Sequence, residues 1–397
     1  MTQEHRAKAE PFTINIPDSE LEELRRRLRA TRWPHDYANA DWSYGTPVAW
    51  LRELVDYWLN EYDWRAVERE MNAFSHYRVK IDDVPIHFIR EPGRGPNPIP
   101  IILTHGWPWT FWDFHKVIRS LADPASYGGD PRDAFDVIVP SLPGFGFSGP
   151  HSRTGINFWS TADLWHKLMT EVLGYERFAA HGGDWGALVS GQLGHKYASS
   201  LHGIHVALVA PLTLFTRDRP WDIMGSILTP DLPADLRTAL IALDKRIAAH
   251  VTVHILDPQG LSYGMHDSPV ALAAWLLERR RAWSDCDDVI ENAFSRDFLI
   301  TTVMIYWLTQ TFVTSVRYYA EAARHQWQPV HDRVPVVEAP TGVTLLPNDR
   351  ASFPGGPPEG LYNLHYAAIA PRGGHFSAAE APEQIVQDIR ATFRDLR

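Results

Sequence analysis

The stretch HGGDWGAL, His181 to Leu188, decides how the chain is read. It closes an apolar run, RFAAHG (177–182), and leads into helical spacing, so Asp184 stands where a strand turns into a helix. Gly182 and Gly186 sit two before and two after the carboxylate. That is the spacing of a strained elbow presenting a nucleophile, with Asp where an esterase has Ser. A Cβ at either glycine would clash as the chain doubles back, and the helix N-terminus favours a negative charge at 184. Taken alone, the stretch reads equally well as a glycine-rich turn with Asp184 as an ordinary N-cap.

The wider pattern separates these readings. IPIILTHG, FDVIVP (135–140), GIHVALVA (203–210), TGVTLLP (341–347) and LHYAAIA (364–370) read as buried strands with helical stretches between several of them, which predicts a mainly parallel α/β sheet. Asp349 follows TGVTLLP, and His375 follows LHYAAIA in PRGGHFSA. Nucleophile, acid and histidine in that order, the last two after late strands, are the arrangement of the α/β-hydrolase fold. His105-Gly106-Trp107-Pro108, after IPIILT, falls where that fold places one oxyanion-hole amide. The Trp107 N–H would converge there with the amide of Trp185, and Pro108 has no N–H to compete.

At 397 residues the chain exceeds the roughly 250–300 at which one core stops growing, so appended segments are expected. Residues 1–95 read as an N-terminal helical meander leading into the first strands. DSELEELRRRLRA (18–30) and Val48 to Glu61 are its amphipathic helices, and YRVKIDDVPIHF (77–88) forms two strands around an Asp-Asp turn. Residues 96–211 are the first part of the hydrolase core, 212–335 a helical cap inserted between core strands, and 336–397 the second part of the core. A net charge of −10 without a long Lys/Arg run argues against nucleic acid. No window offers the roughly 18 apolar residues of a spanning helix, so no membrane is expected. Cys286 is the only cysteine, which suits a reducing cytosol. Gly144 to Gly149 spells G-x-G-x-x-G, but Pro140, Pro143 and Pro150 surround it and no helix pattern follows, so no dinucleotide cofactor is expected; no spaced metal motif occurs either.

An Asp nucleophile suits displacement at an sp³ carbon, forming an ester with the substrate, and epoxides and alkyl halides are the fitting electrophiles. His375, oriented by Asp349, would then activate water against that ester, with the oxyanion held by the Trp107 and Trp185 amides. Opening an epoxide also needs a proton for the leaving oxygen. Tyr318 and Tyr319, in the cap segment TSVRYYAEA, are candidates, although both read equally as aromatics of an amphipathic helix. Trp109 and Trp112, near the HGWP loop, predict with Tyr318 an aromatic-lined substrate pocket.

The HGWP loop, the GGDWG elbow, the RYYAE segment and the RGGHFSA loop together resemble the microsomal-type epoxide hydrolases, and PFTINIPDSELEELRRRLRATRWP and DSPVALAAWLLE (267–278) extend the resemblance over nearly the whole chain. It implies Asp184 as nucleophile, Asp349 as charge-relay acid where relatives often have Glu, His375 as base and Tyr319 as proton donor. The family's second cap tyrosine is replaced by His250, which could assist as a more acidic donor near neutral pH; His254 and Tyr263 lie close by. The resemblance implies a cofactor-independent enzyme that turns a small hydrophobic epoxide and water into a vicinal diol, in detoxification or secondary metabolism; a homodimer is compatible with it. A haloalkane or haloacid dehalogenase would share the nucleophile, and a hydrolase-fold binding protein without activity is the remaining rival.

Overall fold

A computed structural model describes residues 7–223, 228, 231–349 and 357–397. Among them runs one nine-stranded sheet: β1 (Glu10–Phe12), β2 (His76–Ile81), β3 (Val84–Glu91), β4 (Ile99–Thr104), β5 (Phe135–Pro140), β6 (Phe178–Gly182), β7 (Leu201–Val206), β8 (Val337–Leu345) and β9 (Tyr362–Ile369). Its order is β1-β2-β3-β5-β4-β6-β7-β8-β9. Pairing is antiparallel from β1 to β5 and parallel from β5 to β9. The all-buried strands β4, β5 and β6 are the continuous apolar runs. β4 lies between β5 and β6, so the chain leaves it to opposite sides. The crevice beyond the carboxyl ends of β4 and β6 is therefore a topological switch point, where open α/β sheets bind ligands.

The Asp-Asp turn between β2 and β3 places Asp82 at φ +48° and Asp83 at φ +64°. Those are the positive values that a tight hairpin turn demands of both central residues. The helices Asp18–Arg29 and Val48–Asn60 present their leucine stripes to the core cluster. Their polar edges hold the inserted helical region: Trp50 Nε1 donates to Glu291 at 3.1 Å, Tyr57 OH to Asp297 at 2.9 Å, and Arg27 Nη1 to Asp267 Oδ1 at 2.6 Å. The N-terminal segment thus docks on the helices that follow β7. These are Ala234–Leu256, Pro258–Asp267, Pro269–Trp283, Arg296–Thr309 and Phe312–Arg324.

The G-x-G-x-x-G run forms a short 3₁₀ turn, Gly146–Ser148, and opens no helix. Its backbone instead bonds the inserted helices, through Gly146 N–H to Thr311 Oγ1 and Thr314 Oγ1–H to the Gly144 carbonyl. The Gly/Pro-dense stretch FPGGPPEG (353–360) has the composition of a loop, and its residues Phe353 to Gly356 lie outside the described residues. No single described helix is long and apolar enough to cross a membrane.

Candidate active site

Asp184 leaves β6 at φ +50°, ψ −125°, and the helix Trp185–Lys196 begins immediately after it. A non-glycine residue rarely adopts such a conformation, and it persists only where its surroundings enforce it. Here they do. A Cβ on Gly182 would overlap the backbone of Gly186, one on Gly186 would overlap the Thr104 carbonyl, and one on Gly106 would occupy the place of the Asp184 carboxylate. The three glycines let β4, the elbow and its helix close on one another and push the carboxylate out over the sheet.

Trp107 N–H donates to Asp184 Oδ1 at 2.8 Å. On the other side His375 Nε2 stands 3.3 Å from Asp184 Oδ2, a charge contact off the line of a hydrogen bond. His375 Nδ1 meets Asp349 Oδ1 at 3.0 Å. Burial disfavours the imidazolium, but Asp349 and Asp184 outweigh it and raise the His375 pKa to about 10. His375 is therefore an imidazolium at neutral pH. Trp185 is the first residue of its helix, so its amide is among those without an intrahelical acceptor.

The Trp107 ring is the hub of the facing wall. His250 stacks on it at 5.3 Å, and His254, Tyr319 and Trp283 meet it edge-on at 4.5, 6.0 and 6.2 Å. Tyr319 also lies edge-on to Trp185 at 4.6 Å. Burial and then the Asp184 charge raise the Tyr319 pKa well above the usual phenol value, so the hydroxyl is protonated. Burial holds His250 and His254 well below the usual histidine value, with the Arg279 charge acting in the same direction. Both are therefore held in the neutral form, in which each ring still carries one N–H donor. The Trp275 indole donates to His254 Nε2 at 3.2 Å, placing the His254 proton on Nδ1.

The described residues thus bring together Asp184, His375, Asp349, Trp107, Trp185, Tyr319 and His250. Trp109 joins them, edge-on to His375 at 5.7 Å. Tyr318 is turned away: its hydroxyl is bonded to Thr161 at 2.7 Å and its ring packs behind Trp185. Trp112 contacts Phe74, Phe111 and His115 instead of the Trp107 hub. His254, named in the sequence beside His250, joins the wall because it lies one helical turn further on the same face; Tyr263 is exposed. Two features had no such signal. They are Trp283, edge-on to His375 at 5.3 Å, and the buried ion pair of Arg280 with Asp113 at 2.6 Å, each of which joins segments far apart in the chain.

This geometry coincides with clear similarity to known proteins. Residues 9–114 match the family model described as epoxide hydrolase N terminus, and residues 99–327 that of the alpha/beta hydrolase fold. Epoxide hydrolase 1 of Oryctolagus cuniculus is 34% identical over 96% of this chain and 87% of its own. The chain belongs to the epoxide hydrolases. A Stigmatella aurantiaca protein provisionally named an epoxide hydrolase is 39% identical over 98% of this chain and 85% of that protein. The solved epoxide hydrolase of Aspergillus niger superimposes with a TM-score of 0.80 at 25% identity, covering 98% of this chain and 96% of that one. The juvenile hormone epoxide hydrolase of Bombyx mori gives 0.80 at 26%, covering 98% and 94%. In this epoxide hydrolase the region matched as the N terminus of the family runs from β1 through the Trp107 loop, so it supplies one of the two groups that grip Asp184.

Proposed function

We propose that this epoxide hydrolase opens a hydrophobic epoxide through an ester on Asp184. A carboxylate oxygen attacks a ring carbon, the C–O bond breaks, and the departing oxygen takes the Tyr319 proton. His375 then removes a proton from water. The hydroxide adds to the Asp184 carbonyl carbon and the Trp107 and Trp185 amides hold the oxyanion; collapse breaks the ester C–O bond, the departing alkoxide takes the proton left on the Asp184 carboxyl, and the vicinal diol leaves Asp184 as a carboxylate beside the His375 imidazolium. The observation carrying this reading is the Asp184 carboxylate itself, held 2.8 Å from the Trp107 N–H and 3.3 Å from His375 on a backbone that no unconstrained Asp would adopt. The aromatic wall of Trp107, Trp109, Trp283 and Tyr319 suits an apolar substrate. The cap role of the helices after β7, and a cytoplasmic site of action consistent with one unpaired cysteine, belong to the same proposal.

Electrostatics supports the order of steps. The Asp184 charge raises the pKa of both His375 and Tyr319. Attack moves that charge from the carboxylate to the ring oxygen. Asp184 then no longer holds the proton on His375; that proton passes to the Tyr319 phenolate left by ring opening, and the neutral imidazole is available as a base for the second step.

A single turnover of styrene oxide in H₂¹⁸O tests the ester. The label should enter the Asp184 carboxylate, and the first diol released should carry only unlabelled oxygen. Label in that first diol and none in Asp184 would mean direct attack by water. Replacing Tyr319 with Phe keeps the ring packing and removes the proton. Since general acid catalysis contributes about 10²–10⁴-fold, the rate of alkylation should fall by about 10² or more, measured by stopped-flow quenching of tryptophan fluorescence. An unchanged rate would assign the donor elsewhere.

A further inference from the structure

The turn that carries His375 has no hydrogen-bond partner of its own for any of its four amides. Gly373 N–H donates to Asp285 Oδ2 at 2.8 Å, and Gly374 N–H to Glu380 Oε2 at 3.0 Å. His375 N–H donates to the Trp283 carbonyl at 2.9 Å, and Phe376 N–H to Glu380 Oε1 at 2.8 Å. Every acceptor is therefore either Glu380, at the end of the short helix Ser377–Glu380, or lies at the last residue of the helix Pro269–Trp283 and in the segment following it. Glu380 also reaches into that segment, accepting from Asp285 N–H at 2.7 Å. Asp285 Oδ1 accepts from the side chain of Asn348 at 2.6 Å, one residue before Asp349. Contact is flush: a Cβ on Gly374 would overlap the backbone from Trp283 to Asp285.

We propose that Glu380 is a positioning residue for the hydrolytic step, acting with Asp285 to lock the backbone on both sides of His375 to the inserted helical region and to the Asp349 loop. Burial pushes the Glu380 pKa up to about 7, against the pull of its three amide donors and the Arg280 charge; in the ionised form the carboxylate only accepts, and its two oxygens serve three amides at once. Glu380 touches no reacting atom. Its effect is to hold Nε2 of His375 on the line along which water must approach the ester carbonyl, and a displacement of about 1 Å there costs on the order of 10²-fold in rate. Attack by Asp184 needs no proton transfer to His375, so the two chemical steps should respond differently.

This inference rests on the Asp184 ester proposed above, and the experiment separates the two. Glu380→Gln turns one acceptor into an N–H donor facing amide donors. Rapid-quench mass spectrometry of wild type and variant with excess styrene oxide follows formation and decay of the adduct on Asp184. In E380Q the adduct should form near the wild-type rate and decay about 10- to 100-fold more slowly, so that it accumulates. Asp285→Asn should shift decay in the same direction by less, and it carries the test if E380Q does not fold. Decay at the wild-type rate in a folded variant, or an equal slowing of both steps, overturns the positioning role. Absence of any adduct in the wild type overturns the ester, and this inference with it.

Discussion

Asp184→Ala is expected to leave no measurable diol formation. The substitution removes the only group placed to form the ester, and loss of a nucleophile from such a constellation costs about 10⁴–10⁶-fold in kcat. The residual machinery cannot replace it, since His375 and Asp349 are set to activate water against a carbonyl carbon that no longer exists. The fold should survive. Gly106 leaves space for the carboxylate, and the elbow is held by the close approach of Gly182 and Gly186 to their neighbours rather than by the Asp184 side chain. Alanine keeps a Cβ at φ +50°, however, and so retains the backbone strain, whereas Asp184→Gly releases it. Both variants lack the charge beside His375. Their difference is therefore the strain less the extra unfolded-state entropy of glycine, and the glycine variant should be the more stable by about 1 kcal/mol in urea denaturation. Steady-state diol assays check the first expectation. A higher midpoint for the alanine variant would show that the elbow holds no strain at 184.

How much of this was visible beforehand depends on the range over which each feature is specified. The elbow is local: glycines on either side of a carboxylate at a strand-to-helix turn admit few readings, and the structure places their backbones where no Cβ fits. β4, β5 and β6 are buried on both faces, so continuous apolar runs marked them. β1 escaped notice because three residues that are largely exposed show no period; only pairing with β2 makes a strand of them. Tyr318 and Tyr319 are adjacent on a helix and so point about 100° apart. The motif offered both, and packing sends one hydroxyl to Thr161 and the other ring to the Trp107 hub. Trp112 was placed by proximity in sequence to Trp107, but the 3₁₀ turn Phe111–Phe114 swings its ring onto His115. Glu380, Asp285 and Arg280 act between segments that meet only in the folded chain, and no spacing rule reaches that far.

His375→Gln should trap the enzyme as its ester. Gln cannot remove a proton from water, so kcat should fall by about 10⁴–10⁶-fold, while attack by Asp184 continues. One equivalent of styrene oxide per chain should then appear as an intact-mass increase, localised to the peptide containing Asp184 and stable over many wild-type turnover times. Turnover lost without an adduct would place His375 in the first step and reverse the order proposed. The same variant has a consequence for stability. The folded pKa of His375, about 10, lies above the unfolded value of 6.5. Its ion-pair contribution is thus complete below pH 6.5 and is lost as pH rises through about 10. Wild type should lose stability relative to H375Q across that window, a trend that urea midpoints at a series of pH values would reveal. Alkylation of Asp184 removes one of the two carboxylates that hold the proton, so the pKa of His375 in the ester must be lower than in the free enzyme. A base with a pKa near 10 would be almost wholly protonated at pH 7. The chemistry becomes workable because the nucleophile, once consumed, stops suppressing the base.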